Sequence, residues 1–268
     1  MLARQRQAAI LDRVRTAGGV RVTELAAEFG VSDMTIRRDL ETLHEQGLLA
    51  KVHGGATVTG PGSTDEPGFH AKSVRQLAEK AAIAGRAAEL VRPGAAVALS
   101  AGTTTAELAR RLVDVPGLTV VTNSLPVAEI LHAQGRPDQT VVLTGGVRTP
   151  SDALVGPLAV AAIRSLHLDL LFLGVHGITE RAGFTTPNLM EAETDRALVA
   201  AADRLVVLAD HTKWGTVGLS SIAGLDAADV LVTDDRLAPE ARRVLDEKVG
   251  ELAVVAGTGR AATEGTAR

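Results

Sequence analysis

The chain has 268 residues, 46% of them hydrophobic, enough for a sizeable core, and no cysteine, which excludes disulfide and thiolate chemistry and suits a reducing cytoplasm. Its formal charge of −4 is unevenly spread: the first 60 residues carry eight Lys and Arg against seven Asp and Glu (+1), leaving 20 against 25 (−5) for the remainder. That asymmetry is too mild to identify a nucleic-acid partner by itself. The beginning, MLARQRQAAILDRVR, lacks the apolar core of a secretory signal, and the most apolar stretch, ALVAAADRLVVLAD, is interrupted by Asp203 and Arg204. A cytoplasmic protein with no membrane partner is expected.

Taken in chain order, Ile10, Leu11 and Val14 share one face of a helix running from about Arg4 to Ala17, which Gly18-Gly19 ends. After a short VRV stretch, Thr23 is placed to cap a second helix with Leu25, Ala26 and Phe29 inward, and Gly30 supplies the turn. Ser32 caps a third helix whose buried stripe is Ile36, Leu40 and Leu43 and which ends near Gly47. Alternation from Leu48 to His53, then Gly54-Gly55 and ATV, predicts a small hairpin serving as a wing. Residues 1–58 thus read as a mostly α winged helix-turn-helix. The Gly-, Pro- and Ser-rich TGPGSTDEPGF marks a linker over 59–72. From 73 to 256, Val- and Leu-rich runs (AAVAL, LTVVT, TVVLTGG, LDLLFLGV, RLVVLAD, VLVT, ELAVV) alternate with amphipathic helices, which predicts an α/β domain on a mostly parallel sheet. Residues 257–268, GTGRAATEGTAR, read as a disordered tail.

With Ile36, Leu40 and Leu43 inward, 100° per residue places Met34, Thr35, Arg37, Arg38 and Glu41 on the outer arc of the third helix. The last helix of such a trihelical unit lies in the major groove of DNA, where an arginine grips guanine bidentately or binds phosphate. An isolated Arg-Arg pair is more often simply solvated. Its position before a wing carrying Lys51 and His53 shifts the balance toward double-stranded DNA. The expected contacts are Ser32, Met34, Thr35, Arg37, Arg38, Lys51 and His53, with Asp39 orienting an arginine or capping a neighbour.

In ALSAGTTTAELARRL a strand ends near Ser100, Gly102 permits a tight turn, and Thr103, Thr104 and Thr105 open a helix. Free N–H groups, the positive helix end and hydroxyls then meet at the carboxyl edge of a parallel sheet, a site for phosphate. Capping alone would explain one threonine but not three. Two other strand ends, bearing Asn123-Ser124 and Gly145-Gly146, fall on the same edge. Lys213 is placed to face a phosphate, and Asp210 and His176 to bind hydroxyls. FTTPNLMEAETDRA, with Glu191 and Glu193, is a candidate closing segment, although acids belong in a first helical turn anyway. No G-x-x-x-x-G-K-[ST] or G-x-S-x-G motif occurs, GTGRAA has too few residues after it for a dinucleotide fold, and the seven histidines are dispersed. No catalytic residue, cofactor or metal is expected.

The run RVTELAAEFGVSDMTIRRDLETLHEQGLLAKVHGGA resembles the winged helix-turn-helix of the DeoR family of bacterial transcriptional regulators, in which TIRRDL and HGGA are characteristic. The resemblance continues through EKAAIA, AGTTTAELA, LTVVTNS, VVLTGG, LGVHGI and ADHTKWG to about Val255. It implies a regulator of carbohydrate metabolism genes, more often a repressor than an activator, which binds operator DNA and answers to a phosphorylated sugar. It also implies a large domain similar in fold to ribose-phosphate isomerases, and so an alternative: a sugar-phosphate isomerase fused to a DNA-binding domain. Ser100, where the family commonly has an acid, and His176, where an acid is frequent, weigh against that alternative. One recognition helix contacts too few bases for operator selectivity, so a homo-oligomer, dimer or higher, is expected.

Overall fold

The computed structural model describes residues 3–17, 19–45, 49–52, 54–57 and 68–257. The chain divides into two compact units, Met1–Gly62 and Ser63–Arg268. His53, residues 59–67 of the expected linker and the tail 258–268 lie outside the described residues.

The smaller unit contains helices α1 (Ala3–Ala17), α2 (Val22–Phe29) and α3 (Asp33–Glu45) and strands β1 (Gly19–Arg21), β2 (Ala50–Val52) and β3 (Gly55–Thr57). Its core joins Ile10 and Val14 of α1, Val22 and Leu25 of α2, the Ile36-Leu40-Leu43 stripe of α3, Leu49 and Ala56. Gly30 closes α2 at φ 65°, a left-handed conformation that glycine adopts without strain. Ser32 caps α3, accepting the Thr35 amide on its hydroxyl at 3.3 Å. Thr23 does not cap α2. That helix begins at Val22, behind Arg21, because Val22 is buried and its amide donates to the Gly54 carbonyl at 3.0 Å. The wing is also larger than a hairpin. β1, from the VRV segment, pairs antiparallel with β3, giving a three-stranded sheet in the order β1-β3-β2.

The larger unit begins with helix α4 (Phe69–Ser73), so residues 68–72, assigned by composition to the linker, are folded here. Phe69 packs on the core and its amide donates to the Pro150 carbonyl at 3.1 Å. There follow α5 (Leu77–Ala88), β4 (Ala96–Leu99), α6 (Thr103–Leu112), β5 (Thr119–Thr122), α7 (Leu125–Gln134), β6 (Thr140–Leu143), β7 (Val147–Arg148), β8 (Leu154–Val155) and α8 (Pro157–Ile163). The chain continues through β9 (Leu170–Gly174), β10 (Gly177–Thr179), β11 (Gly183–Thr186), α9 (Leu189–Ala201), β12 (Leu205–Leu208), β13 (Ser220–Ala223), β14 (Val230–Asp234), α10 (Pro239–Lys248) and β15 (Glu251–Val255).

Seven strands form a parallel sheet in the order β15-β14-β12-β9-β4-β5-β6. Alternate side chains enter two separate cores. Val97, Leu99, Phe172, Val206 and Val232 pack with α5, α6 and α7, whereas Ala98, Leu171, Leu173, Val207 and Leu231 pack with α8, α9 and α10. The period of two along each strand therefore builds a three-layer sandwich. From β4 the chain moves outward through β5 and β6, then returns to β9 on β4's other side and continues to β15. The direction of winding reverses between β4 and β9, and a ligand crevice forms beyond the carboxyl ends of strands at such a reversal. The small antiparallel sheet β10-β11-β13 and the ribbon β7-β8 were not expected from the sequence. Their strands of two to four residues are too short to show a period.

Candidate functional site

Met34, Arg37 and Arg38 are exposed on α3 and Thr35 is half-buried; Met34, at 63% exposure, is far more open than a methionine with only a core role. Asp39, directly behind the arginines, is buried and turned the other way. Its carboxylate accepts Arg6 Nε at 2.6 Å and Gln7 Nε2 at 3.0 Å, both from α1. Asp39 thus orients an arginine, but one on another helix. Arg37 and Arg38 make no ion pair among the described residues and present their full charge to solvent. Lys51 of β2 pairs with Glu41 of α3, joining wing and helix. That ammonium holds the exposed Glu41 carboxyl below its ordinary range.

The second site is a cleft in the larger unit at the β4/β9 reversal. Ala101 to Thr104 enter it from the end of β4, Gly174 to His176 from the end of β9, and Lys213 from the turn after β12. Lys72 of α4, Lys80 of α5 and Ser151 complete one side, while Thr186, Pro187 and Glu191 approach from β11 and α9. The first residue before α6 is Gly102, so no side chain caps that helix, and its leading amides face the cleft as a partial positive charge. Lys72 donates to Ser151 Oγ at 2.8 Å, and Lys80 donates to the carbonyls of Lys72 and Arg75, both at 2.6 Å. Burial above all pushes the Lys80 ammonium down to about 8; the charges of Lys213, Lys72 and Arg75 add to this, and Asp210 opposes it.

Of the residues expected at the effector site, the cleft brings together Gly102, Thr103, Thr104, His176 and Lys213. The others form its supports. Thr105 is fully buried and its hydroxyl donates back to the carbonyls of Ser100 and Gly102 at 2.7 and 3.0 Å. Asn123 accepts the Ala101 amide at 2.9 Å, and Ser124 caps α7 by accepting the Val127 amide. Gly145 and Gly146 both take positive φ, and a Cβ at Gly146 would lie 2.5 Å from the Val155 carbonyl oxygen. These two glycines let the chain turn and pass β8. Asp210 is buried, and its carboxylate accepts the Thr212 amide at 3.0 Å and the Thr212 hydroxyl. Ser100 accepts the Gly174 amide at 3.0 Å and so ties β4 to β9. Lys72, Lys80, Ser151 and Thr186 were not singled out from the sequence. They lie on separate segments that only the tertiary fold brings together.

Among the described residues no group of three or more His, Asp or Glu is gathered to hold a metal ion, and no helix is long and apolar enough to cross a membrane. The DeoR-like helix-turn-helix domain family matches residues 6–61, and the DeoR C-terminal sensor domain family matches residues 75–235. The HTH-type transcriptional regulator GlpR of Haloferax volcanii is 38% identical over 262 residues, covering 97% of this chain and 100% of that protein. The glycerol-3-phosphate regulon repressor of Escherichia coli (strain K12) is 32% identical over 231 residues, covering 86% and 90%. Ribose 5-phosphate isomerase A from Methanocaldococcus jannaschii is 17% identical at a TM-score of 0.37, covering 50% of this chain and 53% of its own, a distant likeness that bears on neither chemistry nor ligand. With an arginine-bearing helix behind a wing in one unit, a cationic cleft at the sheet reversal in the other, and family matches to both, this chain belongs to the DeoR family of transcriptional regulators.

Proposed function

We propose that this protein is a sequence-specific repressor of carbohydrate-metabolism genes, acting as a homo-oligomer in the cytoplasm and controlled by a phosphorylated sugar bound in the β4/β9 cleft. The observation that carries this reading is the convergence of three lysines, Lys72, Lys80 and Lys213, on the uncapped start of α6. A cluster of like charges of this kind, partly buried, is stabilised by an anion that neutralises it. In this reading the phosphate lies against the amides of Gly102 to Thr104, the hydroxyls of Thr103 and Thr104, and Lys213. His176 borders the sugar, and Thr105, Asn123, Ser124, Gly145, Gly146 and Asp210 hold the loops in place. On the operator, Thr35 and Arg38 contact base edges, while Ser32, Arg37, Lys51 and His53 contact the backbone and Met34 makes apolar contact. The regulon named for the E. coli relative concerns a polyol phosphate, which supports the effector class.

Binding proceeds without turnover in this reading. Ser100 has no carboxylate to act as a base and its hydroxyl already serves the β9 backbone. The test is selection of bound duplex from a random pool, with and without a panel of sugar phosphates. We expect a repeated half-site to be enriched and one sugar phosphate to change its retention. No enriched sequence, or conversion of a sugar phosphate by the protein, would overturn the proposal.

A further inference from the structure

Met34 stands apart from the rest of its unit. Among the described residues of the smaller unit, every other large apolar side chain is buried or half-buried, and even Leu11, Val20, Phe29 and Val31 at the margin pack on the core. Met34 is 63% exposed and takes no part in that core. It is the second residue of α3, and helical spacing sets Arg37 and Arg38, three and four positions on, beside it on the outer arc. The hydroxyls that flank it in sequence are engaged with each other: those of Ser32 and Thr35 lie 3.0 Å apart, and Ser32 also accepts the Thr35 amide. An apolar side chain thus projects into water one turn ahead of two guanidinium groups, where neither the packing nor the cap of α3 needs it.

We infer that Met34 reads the 5-methyl group of a thymine and so sets a thymine preference at one position of each operator half-site. This rests on the reading of α3 as the helix that contacts the operator. The first residues of such a helix come closest to the base edges of the major groove. Those edges are hydrogen-bond donors and acceptors with one apolar exception, the methyl of thymine. A polar side chain at position 34 would find partners on every base pair, whereas a thioether gains only where it covers that methyl and water leaves both. Methionine, unbranched and with three rotatable bonds, adapts its path to the place of the methyl. The arginines supply charge and their own contacts, and Met34 adds discrimination between thymine and a pyrimidine that lacks the methyl.

The test uses the full chain and the duplex that it enriches from a random pool, with each thymine in turn replaced by deoxyuridine, which lacks only the methyl. At one thymine of each half-site the replacement should weaken binding about fourfold, the worth of one buried methyl. Met34→Ala should bind thymine and deoxyuridine equally at that position. Met34→Leu, apolar and close in volume, should keep the difference, and so should Arg38→Ala, although it binds both duplexes less tightly. Cytosine at the same position should bind the unaltered chain weakly and recover about fourfold when methylated at carbon 5. A duplex with no methyl-sensitive thymine would overturn the assignment, as would a methyl effect that persists in Met34→Ala. If Met34→Ala weakens every duplex equally and leaves the methyl effect intact, the side chain serves protein packing and the assignment also falls. If the unaltered chain enriches no sequence at all, the operator reading itself fails, and the assignment with it.

Discussion

Cations gather in two places in this molecule, and they are kept in opposite ways. Arg37 and Arg38 stand in water on α3, with the nearby carboxylate of Asp39 already taken by Arg6. Lys80 is buried, crowded by Lys72 and Lys213, and pushed down to about 8. An exposed guanidinium stays charged at every physiological pH, and its grip on a phosphate weakens with salt. A buried ammonium is screened little by salt, but its charge depends on pH and on what is bound beside it. Under the proposed function the operator face is therefore tuned by ionic strength, and the cleft by protonation and ligand.

The largest expected effect tests whether the reading face is held by its core. Ile36→Ala removes a fully buried side chain from α3 and should destabilise the smaller unit by about 2 to 5 kcal/mol, measured by denaturant unfolding. The melting of the larger unit should not move. Lys80→Met should weaken sugar-phosphate binding by about 1.5 to 3 kcal/mol, through loss of a positive charge beside the cleft, and leave operator binding without effector unchanged. If both activities fall together, the two cation clusters do not work separately. Arg38→Ala should cost about 1 to 3 kcal/mol of operator affinity at one base position; loss that is uniform across sequences, with a smaller salt slope, would reassign it to phosphate.

The pH dependence gives a smaller contrast, with a defined sign. Lys80 is charged below about 8 and neutral above it, so effector affinity should fall as pH rises through 8, by about tenfold at pH 9. Below about 6 the phosphate loses its second charge and affinity falls again. The same depressed ammonium makes the fold relatively more stable as pH rises from about 8 to 10.5, since the unfolded chain there still holds a proton that the folded chain has lost. Effector titrations at pH 5.5, 7 and 9 should thus peak in the middle. The operator contacts of Arg37 and Arg38 should show no step at pH 8. Smallest of all, Glu41→Ala frees Lys51 from an exposed pair and should leave the denaturant midpoint of the smaller unit almost unmoved.

What was legible in the residues was whatever depends on local period. The Ile36-Leu40-Leu43 stripe, the alternation in β4, β9, β12 and β14, and the Gly102-Thr103-Thr104 turn all declared themselves within a few positions. The place of Lys213 beside the cleft was legible because it closely follows the end of a strand. Lys72 and Lys80 were not, since each is one lysine on a helix until α4 and α5 pack beside the strand ends. Thr105 misled for the opposite reason: its hydroxyl type fits a phosphate site, but its place in the helix turns it back onto the Ser100 and Gly102 carbonyls. Arg6 as the partner of Asp39, 33 positions away, had no local signal at all.

The third strand of the wing gives Gly55 a purpose inside the wing itself. Gly55 faces Arg21 where β3 lies against β1, and a methyl group there would collide with the Val20 carbonyl oxygen. Any side chain at this position would prise apart the seam that fastens the wing to the α1–α2 connection. Amide exchange should find the β1 and β3 protons opening as one unit, and Gly55→Ala should hasten that exchange and blunt operator binding by loosening the wing.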